Sequence, residues 1–161
     1  MVYHNFDLPA ATALIQETKK NVDLIIVHIH WGTEYQHQFN QQQQKIGHAL
    51  IDAGADIIIG HHPHVVQGME IYKNKPIFYS LGNFIFDQYF SPDTQEGLAV
   101  GLKLTNNKIS ATLFPLQAKS AIINLMVGSA KDNFLLKYAD WSKGDENFRT
   151  IVKNQLIEIK R

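Results

Sequence analysis

All eight histidines of this 161-residue chain lie at or before His64. Three of them close the stretch Ile57-Ile58-Ile59-Gly60-His61-His62-Pro63-His64, where an apolar run that reads as a buried strand meets a glycine and then a cluster of imidazoles. Imidazole is both a common metal ligand and the usual acid/base group near neutral pH. His62 and His64 are two apart, and the spacing predicts an extended segment, stiffened by Pro63, in which both rings face one centre. A divalent ion such as zinc, iron or manganese accepts such ligands. His30 ends a second apolar run, Leu24 to Gly32, and is expected to join them. His28, deeper in that run, is expected to orient a ligand rather than to be one. His61 has three readings: ligand, proton donor or exposed bystander. Glu34 could ligate, act as a base or be a solvated loop charge. Asn83 could bond a substrate oxygen or cap a turn. His4, His37 and His48 have no evident partner, and Tyr79 and Phe84 read as core.

Three histidines with an open coordination position would lower the pKa of a bound water and yield hydroxide near neutral pH. A two-metal hydrolase needs a bridging carboxylate and further oxygen ligands. Asp23 and Asp56 stand at the starts of their strands, the wrong end for that task.

The elements that must position these groups follow from periodicity. Asp7 before Leu8-Pro9 is a helix start, and Ala11, Leu14, Ile15 and Thr18 carry the helix to about Lys20. Leu24 to Gly32 reads as a strand buried on both faces. Gln41 to Ala53 reads as a helix stopped by Gly54, and Ile57 to Ile59 as a second strand. Strand, helix, strand at this length is a right-handed βαβ unit, so the two strands are parallel and their carboxyl ends share one edge. That edge carries His28 and His30 on one strand and His61, His62 and His64 beyond the other. A hairpin is expected over residues 65–72 and 76–81, with Gly82 to Gln88 folded back over the site. A second hairpin is expected around Asn106-Asn107, with Pro115 ending its pairing. Residues 121–127 could form one more strand. Residues 131–141 and 146–159 read as helices, with Leu135, Leu136 and Ala139 buried. The fold class is α/β: a short parallel βαβ portion plus antiparallel hairpins, in a single domain over residues 1–161.

Composition narrows the function. Lys plus Arg equals Asp plus Glu at 15 each, which argues against a nucleic-acid partner. The chain has no cysteine, so any metal is held by nitrogen and oxygen. No run reaches the length of a spanning helix, and Met1 to Asn5 lacks the features of a signal peptide.

Four ordered blocks carry a resemblance: residues 30–35 (HWGTEY), 52–56 (DAGAD), 60–65 (GHHPHV) and 79–87 (YSLGNFIFD). Together, over about Asp23 to Gln88, they are similar to the CapA-type capsule synthesis and poly-gamma-glutamate biosynthesis family. Through it they resemble the calcineurin-like metallophosphoesterases. The resemblance implies half of an α/β/β/α sandwich, the carboxy-terminal portion of a larger domain. It implies a divalent metal held by His30, His62 and His64, with two ions in the complete protein, and hydrolysis of a phosphoester assisted by His61 or Glu34. It further implies a phosphoester substrate or anionic polymer, a membrane synthesis complex at the bacterial cell envelope, and no nucleic acid. The rivals are a non-catalytic scaffold and a small single-metal hydrolase. An exposed sheet edge would let copies of the chain pair.

Overall fold

A computed structural model describes residues 6–120 and 122–160. His4, Ala121 and the segment Met1 to Asn5 lie outside the described residues. The chain order is α1 (Leu8–Thr18), β1 (Ile26–His30), α2 (Gln41–Ala53), β2 (Ile57–His61), β3 (Val66–Tyr72), β4 (Lys75–Leu81), β5 (Glu96–Thr105), β6 (Lys108–Lys119), β7 (Ile122–Leu125), α3 (Gly128–Trp141), α4 (Glu146–Lys153) and β8 (Leu156–Lys160).

Local chemistry sets the first elements. The Asp7 carboxylate accepts the Ala10 N–H at 3.0 Å and starts α1. Asn40 and Gln43 close a reciprocal capping box on α2, each side chain taking the other's backbone N–H. Gly54, at φ 124°, ends that helix in a conformation that L side chains rarely adopt.

The first sheet has the order β1-β2-β4-β3. Its β1-β2 and β2-β4 pairs are parallel and its β3-β4 pair is the expected hairpin. The second is antiparallel, β5-β6-β7, with β8 also on β6. Helices α1 and α2 cover the outer face of the first sheet through Ile15, Leu50 and Ile51, which pack with Ile25, Ile29, Ile58, Ile77 and Tyr79. The inner face, with Ile57, Ile59, Met69 and Phe78, packs on Leu98, Ile109, Ala111, Leu113 and Ile157 of the second sheet. Phe134, Tyr138 and Ala139 of α3 enter the same core. Each such large side chain contributes about 1.5–3 kcal/mol by leaving water. The result is half of an α/β sandwich, as the resemblance implied.

Several expectations need correction. β1 is not buried on both faces: Ile26, His28 and His30 are exposed, because β1 is the outer strand and the second sheet does not reach over it. Pro115 does not end pairing, since β6 continues to Lys119. The last helix stops at Lys153; Gln155 turns at φ 64° and residues 156–160 pair with β6 instead. Leu136 and Phe84 are exposed, at 47% and 58%, while Leu135, Ala139 and Tyr79 are buried.

Candidate metal centre

The carboxyl ends of β1 and β2 meet in register, with His30 directly opposite His61. Trp31 locks this junction. Its backbone N–H donates to the His61 carbonyl at 3.0 Å, and its indole N–H donates to the Tyr79 carbonyl at 2.9 Å. Beyond His61 the chain does not stay extended, as the His-Pro-His spacing predicted. His62 and His64 take φ of 102° and 60°, a left-handed backbone that non-glycine residues rarely adopt. A turn therefore aims the two rings. Strain of this kind is held in place by surrounding contacts and concentrates at functional sites. One such contact is the Tyr35 N–H to the Pro63 carbonyl, 2.8 Å, which ties the loop after β1 to the loop after β2.

The turn brings Glu34, His62 and His64 together, with one ligand atom from each lying within 4.8 Å of the others. His30 stands beside them, its ring centroid 4.5 Å from that of His62. Desolvation first, then the charges of His62 and His64, hold the His30 imidazole below its ordinary value. A neutral ring keeps a lone pair for an ion. The donor set of nitrogen and oxygen fits a divalent ion such as zinc, manganese or iron.

Asn83 fixes His64. Its amide N–H groups donate to the Thr94 carbonyl at 3.0 Å and to Gln88 Oε1 at 3.3 Å, so its oxygen faces the imidazole. His64 Nδ1–H then donates to that oxygen at 2.9 Å, so in the neutral ring Nε2 is the nitrogen with the lone pair. Asn83, read as bonding a substrate oxygen or capping a turn, bonds a histidine and the loop that covers it. That loop does fold back over the site: Phe86 lies 5.2 Å from the His64 ring, centroid to centroid.

His28 and His61 form a separate pair. His28 Nδ1 is 3.3 Å from His61 Nε2, and the rings are parallel within 4°. Desolvation first, then the charges of His28 and His30, hold His61 below its ordinary value. Two of the histidines without an expected role, His37 and His48, have partners elsewhere. His37 stacks on Trp141 at 4.0 Å and reaches the Val66 carbonyl, and His48 bonds Glu70 at 2.6 Å.

Sequence reasoning gave no role to Tyr35, Gln88 or Thr94. Tyr35 lies over His64 with ring centroids 6.1 Å apart, accepts a hydrogen bond from Gln88 and meets Phe90 edge-on. Nothing in composition or period marks such residues. Only the position of Tyr35, one after Glu34, hinted at the site.

Comparison with known proteins gives the family of the chain. The family described as bacterial capsule synthesis protein PGA_cap matches residues 3–88. The PGA biosynthesis protein CapA of Bacillus subtilis is 53% identical over 75 residues, covering 47% of this chain and 20% of the relative. The capsule biosynthesis protein CapA of Bacillus anthracis is 48% identical over 89 residues, 55% of this chain and 21% of the relative. A probable polyglutamine synthesis accessory protein of Mycobacterium tuberculosis is 32% identical over 114 residues, 65% of this chain and 30% of the relative. The chain thus spans about a fifth of the length of the two Bacillus proteins.

Proposed function

Because the chain belongs to the bacterial capsule synthesis protein family, we propose that it serves poly-gamma-glutamate or capsule synthesis as a metal-dependent phosphoester hydrolase. The observation that carries this reading is the convergence of Glu34, His62 and His64 on one point beside His30. His62, His64 and His30 would hold a divalent ion. Bound there, such an ion would supply hydroxide near neutral pH and polarise a phosphoryl oxygen. The chain's own residues do the rest. Asn83 keeps His64 in the tautomer with a free Nε2. Tyr35 holds the strained turn through Pro63. Glu34, exposed at the rim, or His61 would carry a proton to or from the reacting group. The substrate class is a phosphoester or an anionic polymer attached to one, handled within a synthesis complex at the membrane.

A second reading, a non-catalytic member of such a complex, draws on the exposed Phe84, Ile85, Phe86 and Phe90 around the site. Exposed apolar patches of this kind mark interaction surfaces.

The test measures manganese and zinc bound per chain, together with hydrolysis of bis(p-nitrophenyl) phosphate. His62→Ala and His64→Ala should each lower the stoichiometry by one ion and remove hydrolysis. Unchanged metal content would overturn the ligand assignment. Metal binding without hydrolysis would favour the scaffold.

A further inference from the structure

We infer that His28 and His61 form a second transition-metal site, two imidazoles completed by water, distinct from the Glu34, His62 and His64 cluster. The two histidines come from neighbouring parallel strands and share one sheet face, since His30 stands opposite His61 and His28 lies two residues before it. Their facing nitrogens are 3.3 Å apart. Two nitrogens bound to a tetrahedral ion at the usual zinc distance lie about 3.3 Å from each other, so the pair already has the nitrogen spacing of such a centre.

The surroundings agree. Among the described residues, neither ring is hydrogen-bonded or ion-paired to a carboxylate or a backbone carbonyl; the hydrogen-bond partner of each is the other imidazole. The site is reachable, with His28 exposed and His61 half-buried. It is also fixed, because His61 is the last residue of β2 and its carbonyl is held by the Trp31 N–H. The two sites diverge at one peptide bond. His61 keeps strand geometry, while the positive φ of His62 turns the following rings toward Glu34. Imidazole pairs select zinc or copper over magnesium or calcium, so the ligand class is a borderline first-row ion. Such a site needs no hydrolytic chemistry at the neighbouring cluster. When filled, it takes His61 Nε2 and leaves proton transfer to Glu34.

Calorimetric titration of the full chain with zinc chloride tests this. A variant carrying both His62→Ala and His64→Ala should retain one zinc ion per chain. Adding His28→Ala, an exposed position whose truncation removes no core packing, should weaken that ion by about tenfold or more. In the double variant, zinc should also shift the ring nitrogen resonances of His28 and His61 in NMR spectra. Either of two results overturns the site: the double variant binds no zinc while circular dichroism shows it folded, or its zinc is held equally well after His28→Ala. The first cluster is judged separately, by whether the double substitution itself removes an ion from the wild-type count.

Discussion

The side-chain oxygen of Asn83 lies 2.9 Å from His64 Nδ1, and that contact decides which ring nitrogen of His64 faces outward. The amide cannot turn round, because its nitrogen is engaged by Thr94 and Gln88. Asn83→Ala frees the imidazole to sample both tautomers. Metal affinity should fall by about 10–100-fold, the usual cost of losing a residue that orients a ligand. Nitrogen chemical shifts of the His64 ring would report the tautomer directly. A single Nε2-unprotonated form surviving in Asn83→Ala would refute the role.

Gly60 should tolerate no side chain. A Cβ there would stand 2.0 Å from the Tyr79 carbonyl oxygen and 2.4 Å from the Trp31 indole nitrogen, the two atoms that hydrogen-bond each other. Both neighbours are buried, so neither can step aside. Gly60→Ala should cost about 1–3 kcal/mol or more by overpacking, read from urea unfolding. Trp31 fluorescence should change with it. A neutral substitution would mean that the junction between β1, β2 and β4 is looser than its geometry indicates.

The buried Glu70 carboxylate is a stability centre well inside β3. One oxygen accepts from Tyr79 Oη at 2.5 Å and from His48 Nε2 at 2.6 Å, and the other accepts from Gln44 at 3.1 Å. Lys143 stands 3.8 Å away. Desolvation and the Glu70 bond push the Tyr79 phenol far above its ordinary value, so it serves as donor throughout the working pH range. Glu70→Ala strands these donors and should destabilise by about 3–5 kcal/mol. Glu70→Gln, which keeps an acceptor, should cost less. Equal losses in thermal unfolding would show that charge, not hydrogen bonding, holds the cluster.

Much of this is legible in the sequence, and what is not has physical causes. The βαβ unit announced itself because Ile57 to Ile59 and the run ending at His30 are apolar and bounded by a capped helix. Parallel pairing then placed His30 and His61 side by side without further information. The turn at His62 and His64 was not legible, because the residue before a proline is normally extended. Pro115 misled for a different reason. Its position lies in a gap along β6, where pairing with β8 ends at Thr112 and pairing with β7 begins at Leu116. A missing N–H costs nothing there, and the Pro115 carbonyl still accepts from Met126. In the last strand the signal is present: Ile157 and Ile159 are buried between exposed neighbours, a period of two too short to stand out from the helical pattern before it.

Asp56 sets a pH dependence of stability whose sign is fixed. Burial alone would raise its pKa, but the Lys19 ammonium at 2.8 Å, the Ile25 N–H at 2.9 Å and the nearby Lys75 charge outweigh it and hold the carboxyl below its ordinary 3.8. The folded state therefore releases this proton more readily than the unfolded state does. The resulting stabilisation is complete above the unfolded value. It is lost as the pH falls through the lower folded value, because the unfolded chain binds the proton first. At neutral pH, Asp56→Asn should lower stability by about 1.5–3 kcal/mol, the range for hydrogen bonds to charged groups. The gap between wild type and variant should stay constant down to about pH 4 and shrink below it. Urea unfolding of both proteins across that range measures the gap, and a difference that persists undiminished at about pH 2 would contradict the depressed carboxyl.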